Sequence, residues 1–175
     1  LSPEFLDGSW LLIIFAGNDT TRNTLSGAIK LLTENPEQKQ KLIDNPELMP
    51  NFLQECIRMI SPVMHMRRTT MCETEIGGQK MGPGEKVVMW YGAANRDPAV
   101  FSNPDQFNIE RANADKHLAF GIGRHTCIGK PVALMQLEES YKQILTRFPN
   151  IHMSGDWKVA PNNFVHAIQE MPVKF

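Results

Sequence analysis

The sequence is short of several features that would announce a function. Only three of its 175 residues are cysteine, Cys56, Cys72 and Cys127. An odd number with no CxxC pair excludes a disulfide framework and a sulfur-only zinc site, and points to a reducing compartment. Neither sign of charge dominates: 18 basic residues face 19 acidic ones, and no basic cluster is longer than Arg67-Arg68. That leaves no electrostatic footprint for nucleic acid or an acidic membrane. The longest apolar run, Trp10 to Gly17, falls far short of the ~20 residues that span a bilayer. No charged-then-apolar signal opens the chain, so the expectation is a soluble, cytoplasmic protein. Internal repeats, low-complexity tracts and Gly/Ser linkers are also missing, and the chain reads as one unit.

What is present is a globular composition, 42% hydrophobic and 21% charged, sufficient for one buried core. Helical periodicity runs from Ser2 to about Glu34, where Asn35-Pro36 stops it, then from Pro36 to about Asp44, and again from about Pro46 to Ile60. Ser61-Pro62 ends the third helix, because a residue before proline disfavours the right-handed α region. β-type pieces at 63–69, 74–81 and 85–90, with turns at Gly77-Gly78 and Pro83-Gly84, predict a small sheet. From Arg96 to Phe120, frequent Pro, Asn and Asp predict an ordered but irregular wrap. Leu134, Leu137, Tyr141, Ile144, Leu145 and Phe148 mark the core-facing stripe of a last helix, and the tail from Met153 reads as hairpin. The fold class is mainly α with small β-sheets.

The chemistry concentrates in FGIGRHTCIGKP, residues 120–131. Gly121, Gly123 and Gly129 let the backbone bend tightly and approach something flat, and Pro131 suits the first turn of a helix. Cys127 therefore lies just ahead of a helix N-terminus, where partial positive charge and free N–H groups stabilise a thiolate, the form that ligates metal. The bland alternative is a buried structural cysteine. A phosphate loop is excluded, because five residues rather than four separate Gly123 from Gly129-Lys130, and Pro131 replaces Ser or Thr. The dinucleotide fingerprint fails at Thr126, which stands where its third glycine belongs. His117, His125 and Cys127 match no closed zinc spacing.

FGIGRHTCIG resembles the haem-binding loop of the cytochrome P450 superfamily, Phe-Gly-x-Gly-x-(His/Arg)-x-Cys-x-Gly, at every defined position. AGNDTT at 16–21 resembles the oxygen-activating stretch of that family's long central helix, and ECIR at 55–58 resembles its Glu-x-x-Arg pair. FNIER at 107–111 is similar to the segment whose arginine completes a triad, AANRDP at 93–98 is also typical, and all occur in the family's order. The resemblance implies that residues 1–175 are the C-terminal haem-binding portion of a single domain whose N-terminal half is absent. It implies haem b with Cys127 as axial ligand of the iron, and Arg68 and His125 paired with the propionates, Arg67 being the less favoured neighbour. Phe120, Gly121, Ala16 and Gly17 would lie beside the haem. Asp19 and Thr20 would be catalytic, relaying protons, and Glu55, Arg58 and Arg111 would form a structural triad.

The activity implied is a monooxygenase that inserts one atom of O2 into a C–H bond of an apolar substrate. HMRRT at 65–69, KVVMWYGAANRD at 86–97 and NNFVHAIQEMPVKF at 162–175 look most similar to bacterial branches that hydroxylate terminal methyls of alkanes, fatty acids or sterol side chains. Val63, Met64 and Phe164 are candidates for an apolar lining. No flavin or nicotinamide motif is present, so electrons would come from a ferredoxin and its reductase, with Arg124 and Lys130 as a basic patch beside the cysteine.

Local alternatives accompany these assignments. Asp19 is also a good cap for a fresh helix starting at Thr20, whereas a helix running through AGNDTT would be disturbed by threonine hydroxyls competing for its carbonyls. Glu55 and Arg58 would be worth only ~0.2–0.5 kcal/mol as a surface pair. Their neighbours Phe52, Leu53, Ile57, Met59 and Ile60 argue for burial instead, where an arginine needs full pairing. At the level of function, the alternatives are a haem-thiolate protein that binds gas or carries electrons without oxygenating, and an inactive isolated fragment.

Overall fold

A computed structural model describes residues 1–175. Helix α1 (Pro3–Glu34) has 32 residues and is about 48 Å long. Its start is set by Ser2, whose hydroxyl accepts the Phe5 N–H at 3.3 Å, and by Pro3 in the first turn. Asn35, kept out of the helical region before Pro36 with φ −131 and ψ 70, ends it. Helix α2 (Pro36–Asp44) follows, stopped in the same way by Asn45-Pro46. Both asparagines turn their amides back onto the carbonyls four residues earlier, Leu31 and Lys41.

The third helix begins later than its periodicity predicts. Residues Pro46–Leu48 form a single 3₁₀ turn, and α3 spans Met49–Ile60. Pro50, without an N–H, is tolerated in the first turn of α3 but not inside a helix begun at Pro46. At the other end Ser61 escapes the restriction imposed by Pro62 in the left-handed region, with φ +45 and ψ +67. Its hydroxyl donates to the Arg58 carbonyl and accepts from Asn95 Nδ2 at 2.8 Å, which compensates a conformation unusual outside glycine.

The expected small sheet is instead two separate ladders. Strand β1 (His65–Thr69) pairs antiparallel with β4 (Lys86–Trp90), and β2 (Thr74–Ile76) with β3 (Gln79–Met81). Positive φ at both Gly77 and Gly78 closes the 74–81 piece on itself, so its backbone groups are satisfied internally. Val63 lies outside β1 and makes an isolated bridge to Val165. Helix α4 (Tyr91–Ala94) leads into the irregular wrap, broken only by a 3₁₀ turn at Ala114–Lys116. A second such turn, Gly123–His125, precedes α5 (Lys130–Arg147). The tail folds as nested two-stranded ladders, β5 (His152–Met153) with β8 (Val173–Lys174) and β6 (Lys158–Val159) with β7 (Ile168–Glu170).

The core lies where α3 crosses the C-terminal half of α1 and meets α5. Ala28, Leu32, Phe52, Leu53, Ile57, Leu137 and Tyr141 close it, with Phe107 and Ile109 of the wrap as its lid. Phe52 meets Tyr141 edge to face at 5.1 Å, and the Tyr141 hydroxyl donates to the Leu25 carbonyl at 2.6 Å. Of the predicted α5 stripe, Leu137, Tyr141 and Leu145 are buried. Phe148 lies past the helix end and packs on Phe175 at 4.7 Å instead. The first half of α1 behaves differently: Trp10, Leu11, Ile13 and Ile14 stay 60–69% exposed, on all sides of the helix. No helix is long and apolar enough to cross a membrane.

Candidate functional site

The most buried charges in the molecule are Glu55 and Arg58, both 0% exposed. The i,i+3 spacing places them on one face of α3. Arg58 grips the carboxylate with Nε at 2.7 Å and Nη2 at 2.8 Å, and Arg111 adds Nε at 3.0 and 3.1 Å to the same two oxygens. The Asn108 N–H donates to Glu55 Oε1 at 3.0 Å. One carboxylate cannot neutralise two guanidiniums, and backbone carbonyls supply the remainder. Arg58 donates to Asn95 and Pro104, Arg111 to Ser102, Asn103 and Gln106. The structure thus gathers Glu55, Arg58 and Arg111 and excludes the reading as a surface pair.

Asn95 carries this arrangement outward. Its carbonyl is held by Arg58, its Nδ2 by Ser61, and its Oδ1 accepts the Leu118 N–H at 2.6 Å. One residue earlier, His117 is 7% exposed. Its Nε2 meets Gln54 Oε1 at 3.1 Å, its Nδ1 accepts the Ala119 N–H at 3.2 Å, and its ring lies 5.6 Å from Phe120. Burial, reinforced by the Lys130 charge, pushes His117 down to about 4. Asn95, Ser61, Gln54 and His117 were not singled out for these roles by sequence, since their partners lie up to 63 residues away.

Beyond Phe120 the chain turns at Gly121, with φ +70, where a Cβ would come within 3.0 Å of the His125 carbonyl. Gly123 also has positive φ. The Cys127 N–H returns to the Phe120 carbonyl at 2.8 Å, and the Cys127 carbonyl accepts the Lys130 N–H at the start of α5. The thiol itself is exposed and free, flanked by Ile122 and Ile128 at 75% and 98% exposure. A cleft of about 230 Å³ lies beside the loop, with Arg68, Trp90, Tyr91, Leu118, Gly121 and Ile122 in its walls. Phe120, Gly121, His125 and Cys127 therefore share one loop, and Arg68 lines the cleft beside it. Arg67 is absent from that lining. His125 and Arg124 are exposed on the 3₁₀ turn, and Lys130 sits 5.3 Å above the Phe120 ring.

Residues 16–20 lie on a helix that runs through them without interruption. There is neither a fresh start capped by Asp19 nor an opening in α1. The threonine hydroxyls add bonds rather than displace them, Thr20 to the Ala16 carbonyl and Thr24 to that of Thr20, both at 2.8 Å. Asp19 pairs with Arg22 at 2.9 Å. Ala16 and Gly17 are exposed, with open space around Gly17. No hydrogen bond or ion pair joins this group to the cysteine loop. Val63, Met64 and Phe164 lie together, through the Val63 bridge to Val165 and the Met64 N–H to the Phe164 carbonyl.

One exposed sulfur, the Arg68 guanidinium, the His125 imidazole and uncovered apolar faces are the complement of a flat apolar ring that bears carboxylates and a thiolate-accepting metal. Haem fits that donor set.

Comparison with known proteins reaches the same family. The cytochrome P450 family model matches residues 40–172. Linalool 8-monooxygenase of Pseudomonas putida is 39% identical over 166 residues, covering 95% of this chain and 41% of that protein. Steroid C26-monooxygenase of Mycobacterium tuberculosis is 38% identical over 178 residues, covering 100% and 48%. The solved structure of cytochrome P450-153 from Novosphingobium aromaticivorans superposes with TM-score 0.95 at 41% identity, covering 99% of this chain and 44% of that one. The chain thus spans somewhat less than half the length of each.

Two outcomes follow from the buried charges. Glu55→Gln leaves two guanidiniums without a counter-charge, and should lower stability by about 3–5 kcal/mol in chemical denaturation. An unchanged midpoint would refute the dependence on that carboxylate. His117 sets a pH dependence whose sign is fixed by its downward displacement. Between the ordinary ~6.5 and about 4, the unfolded chain takes up a proton that the fold refuses. Stability should therefore fall by up to about 1.4 kcal/mol per pH unit as pH drops through that window, and level off below it. His166, lowered by burial and by Arg96, acts in the same direction. His117→Asn should flatten most of this slope in denaturation series between pH 7 and 4.

Proposed function

The chain belongs to the cytochrome P450 family, and on that premise we propose that it forms the C-terminal haem-binding portion of a single-domain haem-thiolate monooxygenase. The observation that carries the reading is the free Cys127 thiol, presented on a glycine-bent loop between uncovered apolar side chains, with α5 starting three residues later. The exposed apolar half of α1 supports it too, since a helix apolar on all sides belongs inside a larger core. The substrate class proposed is a terminal methyl of an alkane, fatty acid or sterol side chain, one oxygen atom of O2 being inserted into its C–H bond. Relatives named for linalool and for the C26 position of steroids support an apolar substrate.

Haem b would be held by Cys127 through its sulfur, by Arg68 and His125 at its carboxylates, and by Phe120, Gly121, Ala16 and Gly17 at its apolar ring. Bound there it supplies oxygen activation, a chemistry that a thiolate ligand favours. The chain's own residues hold the sulfur, orient the ring and manage protons. The loop backbone keeps Cys127 in place through its N–H bond to the Phe120 carbonyl, and its own carbonyl accepts the Lys130 N–H at the start of α5. Thr20 Oγ1, which rests on the Ala16 carbonyl, swings to donate into the pocket. Asp19, only partly buried and paired with Arg22, carries protons from solvent to that hydroxyl. Arg124 and Lys130 present cations on the cysteine side for an acidic ferredoxin, itself reduced by a ferredoxin reductase. Three free cysteines accord with a cytoplasmic setting.

The holoprotein tests this reading directly. Its reduced carbon monoxide complex should show the thiolate-specific band, and Cys127→Ala should abolish it; a band that survives the mutation would remove Cys127 as ligand. With redox partners, Thr20→Ala should leave reductant consumption largely intact while product per reductant falls by roughly tenfold or more and hydrogen peroxide rises. A ratio equal to wild type would take Thr20 out of the proton path.

A further inference from the structure

His117 lies ten residues before Cys127 and belongs to neither the resemblance nor the proton path. Ala119 donates to its Nδ1, so that nitrogen carries no hydrogen. The hydrogen is then on Nε2, which points to Gln54 Oε1 at 3.1 Å. Both ring nitrogens are used, and only the neutral ring in this one tautomer can make both bonds. Gln54 sits beside Glu55 on α3, in the rigid core. Ala119 sits beside Phe120, whose carbonyl holds the Cys127 N–H. The imidazole thus joins α3, which carries the buried Glu55–Arg58 pair, to the backbone from which the sulfur hangs. Asn95 Oδ1 holds Leu118 independently.

We propose that His117 is a positioning residue for the cysteine loop: as a neutral clamp between Gln54 and the Ala119 N–H, it sets the approach of Cys127 to haem. The proposal rests on the haem-thiolate reading. An imidazolium has no acceptor for Ala119, so acid opens the clamp from the loop side. Lys130 and Arg58 face the ring and oppose its protonation, while Asp115 and Glu55 favour it.

Three variants of the holoprotein separate the two bonds. His117→Asn keeps an acceptor near the Nδ1 position, His117→Gln keeps a donor near Nε2, and His117→Phe keeps the ring against Phe120 but loses both. The readouts are haem transfer to excess apomyoglobin, the thiolate-ligated share of the reduced carbon monoxide complex, and amide hydrogen exchange at 118–121 and 127. His117→Phe should lose haem about tenfold faster, the scale of one buried hydrogen bond. It should also lower the thiolate share and expose the Ala119 and Cys127 amides, whereas His117→Asn and His117→Gln, each of which loses one of the two bonds, should show the same changes in weaker form. Should His117→Phe fail to fold, Gln54→Leu is measured in the same way and should give the same changes in weaker form. The proposal is overturned if His117→Phe, or Gln54→Leu in its place, matches wild type in haem transfer and thiolate share while only stability falls. It is equally overturned if His117→Asn fails where His117→Phe succeeds. A wild type without any thiolate band would refute the haem reading instead. Amide exchange would then decide the clamp alone, with unchanged Ala119 protection in His117→Phe counting against it.

Discussion

The interaction on which the rest of the structure depends is the Glu55 carboxylate held between Arg58 and Arg111. A fully buried charge is sustainable only when paired and hydrogen-bonded. Here two guanidiniums share one carboxylate, and the excess positive charge draws the carbonyls of Asn95, Ser102, Asn103, Pro104 and Gln106 inward. That is why the stretch after α4 is ordered without being helix or strand. Its shape is dictated by the satisfaction of two cations rather than by a repeating ladder. An apolar trio of equal volume could fill the space and even be more stable, but it could not gather onto α3 carbonyls that lie 37 to 48 residues from Arg58.

Order is handed down from that centre in stages. Arg58 fixes the Asn95 carbonyl, and the Asn95 side chain fixes Leu118. Gln54, adjacent to Glu55, fixes His117 and through it Ala119. The Phe120 carbonyl then fixes Cys127. Burial declines along the same path, from the triad through the half-buried 118–121 to the exposed 122–128. The Cys127 thiol is accessible, and an accessible loop is precise only when its ends are tied to a rigid scaffold. The glycine turn supplies the remaining freedom: Gly121 adopts a φ that a larger residue would resist, and the closeness of the His125 carbonyl leaves no space for a Cβ there.

Much of this is legible in the sequence. The long helices were marked by Ser2, Asn35-Pro36 and the stripe of α5, all local signals. The E-x-x-R spacing and the apolar neighbours of Glu55 were enough to predict burial and a second cation. What could not be read locally was whatever depends on distant partners. The left-handed Ser61 is stabilised by Asn95, so the restriction before Pro62 said where α3 ends but not how. The 74–81 piece closed on itself because Gly77 and Gly78 both take positive φ, a choice that competes with joining a larger sheet. Phe148 continues the α5 periodicity, yet its packing partner is Phe175, the last residue of the chain. His117 carries no motif at all; its importance comes from where Gln54 and Ala119 meet it.

Helix α1 unites two environments, and the seam between them falls at Asp19 and Thr20, the residues proposed above for proton delivery. From Asn23 onward it buries Asn23, Thr24, Gly27, Ala28 and Leu32 in the core; from Phe5 to Phe15 its large apolar side chains are uncovered. Asp19 and Thr20 stand between, each only partly exposed. A carboxylate at such a boundary can keep one side toward water and the other toward an apolar space, which neither a fully buried nor a fully solvated acid can do. The uninterrupted backbone matters for the same reason. Because the Thr20 hydroxyl is parked on the Ala16 carbonyl as a surplus bond, its release costs the helix none of its own i to i−4 ladder, and the hydroxyl is free to turn toward a different acceptor.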